Sequence, residues 1–314
     1  MNYLIYYKKI NMEKILFGFL KNLKSLIYGP TEEDYFNRGK IKIDICDFNG
    51  AIIDYNKFIR LNPNMAEAYY NRGIAKNELQ DYEGAIEDYN KAIEINPDYL
   101  KAYYNRGISK QRFNDNISAI SDFTIVIQHK LVDGEPHFNR GICKINIQDY
   151  SEAIKDFTIA IELYPDDSKL YFHIGLCKYY LQDFNSALEN YNMAIRINQF
   201  YIEAYCKRGH TKTKLKSYKN AIEDYSIAIE LNPDSSEAYH GRGLASAQME
   251  EFMDAMLDFS LAIRLNPSFG EAYYCRGIAK LGLNLNDKAC LDFIKAKNLG
   301  YELADEFISQ YCNL

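Results

Sequence analysis

From Glu32 onward, the apolar residues fall into two alternating helical stripes separated by turn signals. The clearer stripe places apolar side chains at i, i+1, i+4, i+7 and i+8, as in Ala85, Ile86, Tyr89, Ala92 and Ile93, which is one face of an amphipathic helix. The segment before it carries an aromatic such as Tyr69 and, ten residues on, an apolar residue such as Leu79. Asn and Asp precede the turns, and Pro63, Pro97, Pro165, Pro233 and Pro267 follow the second helices and end them. The pattern therefore predicts helix–turn–helix hairpins. Such a hairpin cannot bury its apolar face alone, so the copies must stack on one another.

The hairpins recur with a fixed period. Glycine stands at 39, 73, 107, 141, 175, 209, 243 and 277, a step of 34 residues each time. Twelve residues after each glycine comes alanine, from Ala51 to Ala289. Sixteen after it comes an aromatic: Tyr55, Tyr89, Phe123, Phe157, Tyr191, Tyr225, Phe259 and Phe293. With Glu32 as position 1, eight units fit without insertion: 32–65, 66–99, 100–133, 134–167, 168–201, 202–235, 236–269 and 270–303. Residues 1–31 form a basic amphipathic or capping segment ahead of the array. Residues 304–314 read as a capping-helix tail, with Leu303, Phe307 and Ile308 on one face.

This unit resembles the tetratricopeptide repeat family, whose 34-residue motif is a helix–turn–helix with small residues where helices cross. The resemblance implies an all-α fold: a right-handed α-α superhelical solenoid with terminal capping helices. It also implies a non-enzymatic scaffold that binds a protein or extended peptide in a concave groove. No phosphate-cradling loop or nucleophile motif stands against this, so no catalytic residue and no cofactor are expected.

The chain departs from the family pattern beside its glycine. Position 7 is arginine in seven units and Ile174 in the fifth; position 11 is lysine in seven, with Ser246 the exception. Position 23 is aspartate in seven units and Asn190 in the fifth, so the unit that loses the arginine also loses the aspartate. A buried charge without its partner is expensive. Ion pairs between the two helices of a unit are therefore expected, such as Arg72 with Asp88 and Arg106 with Asp122.

Binding is expected on the first helices, which in the resembling family line the groove. Position 6 is Asn37, Asn71, Asn105 and Asn139 in the first four units, side chains that both donate to and accept from a peptide backbone. Position 5 adds Phe36, Tyr70, Tyr104, Phe138 and Phe172. The alternative is that duplication simply carried both rows along. The two-carboxylate clamp of chaperone-associated members is not expected, because only the position-6 asparagines match it. Position 2 is mostly acidic, which favours neutral or basic peptides. Cys206, His210 and His240 could share the groove as a metal site, but no metal is assigned from the sequence.

Composition narrows the partners. The formal net charge is −6 and the pI about 5.5, which argues against a nucleic-acid phosphate tracker. Seven cysteines without a paired spacing read as reduced, mostly buried thiols, and a cytoplasmic setting follows. No apolar run is long enough to span a membrane. A second reading has the basic N-terminal helix tether a membrane-surface assembly or co-chaperone-like factor. Oligomeric state is not encoded in any feature of the chain.

Overall fold

The structure, a computed structural model, describes residues 30–129 and 134–312. The N-terminal segment proposed as a membrane or capping helix lies outside them. Among the described residues there are seventeen α-helices and no strands, arranged as two compact units that divide between residues 132 and 133.

The first unit holds three hairpins: α1 (Glu32–Asp44) with α2 (Phe48–Leu61), α3 (Ala66–Glu78) with α4 (Tyr82–Ile95), and α5 (Leu100–Arg112) with α6 (Asn116–Gln128). The second holds five: α7 (Glu135–Asn146) with α8 (Tyr150–Leu163), α9 (Ser168–Tyr180) with α10 (Phe184–Ile197), and α11 (Ile202–Lys214) with α12 (Tyr218–Leu231). Then come α13 (Ser236–Gln248) with α14 (Phe252–Leu265) and α15 (Gly270–Gly282) with α16 (Asn286–Asn298), closed by α17 (Ala304–Tyr311). Within each unit, consecutive helices pack side by side. The chain is an all-α solenoid of stacked helix hairpins.

The recurring glycine is explained by its partner sixteen residues on. A Cβ on Gly73 would stand 2.7 Å from Cε1 of Tyr89, and on Gly107 2.8 Å from Cε1 of Phe123. The ring of the second helix therefore lies on bare backbone of the first, and this close approach offsets the helix-propensity cost of glycine, about 1 kcal/mol. Alanines at positions 3 and 20, such as Ala68 and Ala85, are fully buried. From the second hairpin on, position 10 is equally closed, and there Cys143 and Cys177 take the small-residue place. Burial pushes both thiols up to about 12.

The turn differs from the apolar reading of position 14. Leu79, Phe113, Ile147, Leu181 and Leu215 are helix C-caps and stay more than a third exposed. The residue after each is left-handed, for example Gln80 at φ 63° and Lys216 at φ 59°, and none of the eight is glycine. Asp81 N–H bonds to Lys76 C=O at 2.9 Å and Gln80 N–H to Asn77 C=O at 2.9 Å, the paired bonds that close a helix through a left-handed residue. The next helix is then capped at once: the Asp81 carboxylate accepts from Gly84 N–H at 3.0 Å.

The tail brings one correction. Phe307 and Ile308 of α17 pack against the cluster around Phe293, whereas Leu303 is 61% exposed at the helix start. Cys290 of α16 and Cys312 are joined by a disulfide, with Cα atoms 5.6 Å apart. Reduced thiols were expected throughout. Folding α17 back onto α16 brings together two cysteines 22 positions apart, which no local spacing reveals.

Candidate functional site

Seven of the eight hairpins carry a charged network between their helices, the fifth being the exception. Arg72 Nε donates to Asp88 Oδ2 at 2.8 Å and its Nη2 to Oδ1 at 2.5 Å, a bidentate pair with the aspartate 4% exposed. Lys76 Nζ closes the third side, 2.9 Å from Asp88 Oδ2 and 3.1 Å from Gly84 C=O. Arg106, Asp122 and Lys110 repeat this geometry, with Arg106 Nε to Asp122 Oδ2 at 2.9 Å and Lys110 Nζ to Oδ2 at 2.8 Å. The guanidinium also lies over the tyrosine three residues earlier, 5.5 Å from the Tyr69 ring centre for Arg72. At Asp156 burial pushes the carboxyl up, but hydrogen bonds from Arg140 and Lys144 outweigh it and hold the group below its usual range. His137, standing in place of tyrosine, adds its Nδ1 at 3.3 Å from Asp156 Oδ1.

Sequence reading missed a further partner. Arg72 Nη1 donates to Asn56 Oδ1 at 2.6 Å, and Arg106 Nη1 to Asn90 Oδ1 at 2.6 Å. Arg208 does the same with Asn192 at 2.7 Å. Position 25 of the preceding hairpin is thus part of the network, and the polar residues recurring there were its sequence signal. In the fifth hairpin Ile174 is buried, Asn190 caps back onto Ser186 C=O at 2.8 Å, and Lys178 turns to Asp183 at 3.1 Å.

On the first helices, position 6 of one hairpin meets position 5 of the hairpin before it. Asn105 Nδ2 donates to the Tyr70 hydroxyl at 2.8 Å, and the His173 ring lies 5.5 Å from that of Phe138. Asn37 is exposed, Asn105 and Asn139 are half-buried, and Asn71 is buried with its Nδ2 lacking a partner. Phe36, Tyr70, Tyr104 and Phe138 are half-buried, and Phe172 is buried. Tyr70 packs on Tyr99 with ring centres 4.9 Å apart. Asn37, Asn71 and Asn105 belong to the first compact unit and Asn139 to the second.

The second unit contains a cavity of about 450 Å³. Its walls come from the first helices of four successive hairpins: Tyr179 and Tyr180 on α9, Cys206 and His210 on α11, His240 on α13 and Glu271 on α15. Cys206, His210 and His240 line it together, but the three do not converge as one ligand set. His210 Nε2 bonds the Tyr179 hydroxyl at 2.7 Å. His240 is instead brought to Glu271 and Cys275, one ligand atom from each lying within 4.8 Å of the others. Burial, with His210 adding to it, lowers His240 to about 4, and burial beside Glu271 raises Cys275 to about 12.

Comparison with known proteins agrees with this fold. Tetratricopeptide repeat family models match residues 66–99 and 202–235, and a second such model matches 137–167. No curated protein sequence matches the chain. A tetratricopeptide repeat protein from Parabacteroides merdae is similar in structure with a TM-score of 0.63 and 19% identity, over 79% of this chain and 99% of that one. YrrB, described as a TPR protein with an unusual peptide-binding site, aligns with a TM-score of 0.52 and 22% identity, over 60% of this chain and 97% of its own. Yeast Tom70 aligns with a TM-score of 0.56 and 20% identity over 84% of this chain and 58% of its own. Stacked helix hairpins of this kind define a class of protein-interaction scaffolds. Residues 66–99, 137–167 and 202–235 of the chain are matched as tetratricopeptide repeats, and its fold is that of a tetratricopeptide repeat protein.

Proposed function

We propose that this scaffold takes up an extended segment of a partner protein along the side chains of its first helices. The observation that carries this is the cavity built by four successive first helices in the second unit. Its volume, about 450 Å³, lies in the range of ligand pockets and suits one or two inserted side chains. Tyr179, Tyr180 and Phe269 offer ring faces, while Glu237 and Glu271 favour a neutral or basic segment. The row of Asn37, Asn71 and Asn105 with Phe36, Tyr70 and Tyr104 is the proposed counterpart in the first unit, and Asn139 with Phe138 and Phe172 are the residues at the same repeat positions proposed for the second. YrrB, which shares the fold, is described as having a peptide-binding site of its own. Non-enzymatic action accords with this reading. Among the described residues no helix is long and apolar enough to cross a membrane.

The test is selection from a random peptide library on the purified chain, followed by titration of the selected peptides. Tyr180→Ala and His210→Ala are expected to weaken them about tenfold, as removal of an anchoring contact does. An Asn71→Ala, Asn105→Ala variant tests the first-unit row in the same way. Peptides that bind all variants equally would place the site elsewhere.

A further inference from the structure

We propose that His240, Glu271 and Cys275 form a divalent transition-metal site, with Zn²⁺ as its ion. The geometry is that of a cluster assembled by the fold rather than by chain proximity. Glu271 and Cys275 stand one helical turn apart on α15, so they share a face. His240 reaches them from α13, the first helix of the preceding hairpin. All three ligand atoms lie within 4.8 Å of one another. Tetrahedral Zn²⁺ with bonds of 2.0–2.3 Å separates its ligands by roughly 3.6 Å. The exposed Glu271 carboxylate has freedom to close that difference.

The histidine gives the cluster a reason to exist. His240 is 7% exposed, and its Nε2 is buried without a hydrogen-bond partner. A buried imidazole nitrogen left unsatisfied is costly and invites an explanation. Its ring is held between Phe259 and Phe269, with centres 5.6 and 4.7 Å away, so the nitrogen cannot swing out to water cheaply. One imidazole, one thiol and one carboxylate make a mixed nitrogen, sulfur and oxygen set that suits Zn²⁺ far better than Mg²⁺ or Ca²⁺. Binding releases the Cys275 thiol proton to solvent and leaves three protein ligands. His240 and Glu271 both line the cavity, which leaves room for water as the fourth ligand.

The same positions one hairpin earlier hold Cys206, Glu237 and Gly241, so glycine replaces the third ligand there. The cluster is therefore particular to the junction of the last two hairpins and is not a by-product of the repeat.

The test is titration of the full-length protein, its disulfide intact and oxygen excluded, with Co²⁺ and then Zn²⁺. The expected result is one equivalent of Co²⁺ with the visible absorption of a tetrahedral ion and a thiolate charge-transfer band, displaced by Zn²⁺. Cys275→Ser and Glu271→Gln are expected to weaken Zn²⁺ about 100-fold or more, because losing even an outer partner of a ligand costs 10–100-fold. Cys206→Ser is expected to leave affinity unchanged. Circular dichroism of each variant confirms the helical fold, and Glu271→Gln, being at the surface, keeps the test open if Cys275→Ser unfolds. No saturable Co²⁺ spectrum, or binding lost with Cys206→Ser and kept with Cys275→Ser, would overturn the proposal.

Discussion

Arg72 Nη1 holds Asn56 Oδ1 at 2.6 Å across the boundary between the first two hairpins. The same guanidinium clamps Asp88 within its own hairpin, so one side chain ties together three helices. The arginine beside the glycine is thus a joint between repeats as well as within one.

A double-mutant cycle on Arg72→Ile and Asp88→Asn measures the joint. Arg72→Ile leaves the buried Asp88 with Lys76 alone, Asp88→Asn leaves both cations without their carboxylate, and each is expected to cost ~3 kcal/mol. The double variant copies the fifth hairpin, where Ile174 and Asn190 coexist and Lys178 pairs with Asp183; Lys76 is expected to turn to Asp81 likewise. Its loss should be smaller than the sum by about 1–3 kcal/mol in urea denaturation. Additive losses would refute the coupling.

Ser246 marks a gap in the network. Where lysine stands at position 11, as at Lys280, its Nζ sits 2.7 Å from the aspartate; beside Ser246 there is a cavity of about 380 Å³ bordered by Asp258 and Arg242. Ser246→Lys is expected to fill it and stabilise the protein by about 1 kcal/mol through a charge-assisted bond, read as a higher urea midpoint.

Acid should loosen the second unit through His173. Burial lowers this imidazole from 6.5 to about 4, and its Nδ1 has no partner. The unfolded chain therefore binds the proton first, so its contribution is complete above about pH 6.5 and is lost as pH falls to about 4. The loss amounts to roughly 2–3 kcal/mol. His173→Phe should flatten the pH dependence of the unfolding midpoint over that window, and an unchanged slope would contradict the assignment.

Gln80→Gly is expected to stabilise the protein. A left-handed non-glycine residue costs about 1–2 kcal/mol, and the extra chain entropy of glycine returns about 0.5–1 of it. A net gain near 0.5–1 kcal/mol should appear as a raised thermal midpoint.

Cys312→Ser should free the tail helix. Closing a loop of 22 residues stabilises by about 3 kcal/mol in the chain-entropy account. Hydrogen exchange of amides in α17 is expected to quicken while those of α3 and α4 stay protected. Uniform protection in the variant would show that Phe307 and Ile308 hold the helix alone.

What was legible in the chain is what repeats within it. The glycine-to-aromatic spacing, the prolines after the second helices and the amphipathic stripes all act between neighbours within one hairpin, so periodicity reveals them. The linked absence of arginine and aspartate in the fifth hairpin also pointed to positions 7 and 23, which at Arg72 and Asp88 stand 2.5 Å apart. The left-handed turn residue stayed hidden because Cys46, Gln80 and Lys216 share a backbone conformation but no side-chain chemistry. The exposure of Leu79 and Phe113 followed from that turn.

The sequence by itself determined the hairpin, its length and its charged seam, because helical periodicity and steric fit at Gly73 depend on local spacing alone. Tertiary structure alone decided which hairpin faces meet. It set Asn105 on Tyr70, Cys290 on Cys312, and His240 on Glu271 and Cys275 rather than on Cys206 and His210. Those pairings depend on how one hairpin is offset against the next, and that offset is set by packing across the interface, which no single stretch of sequence contains.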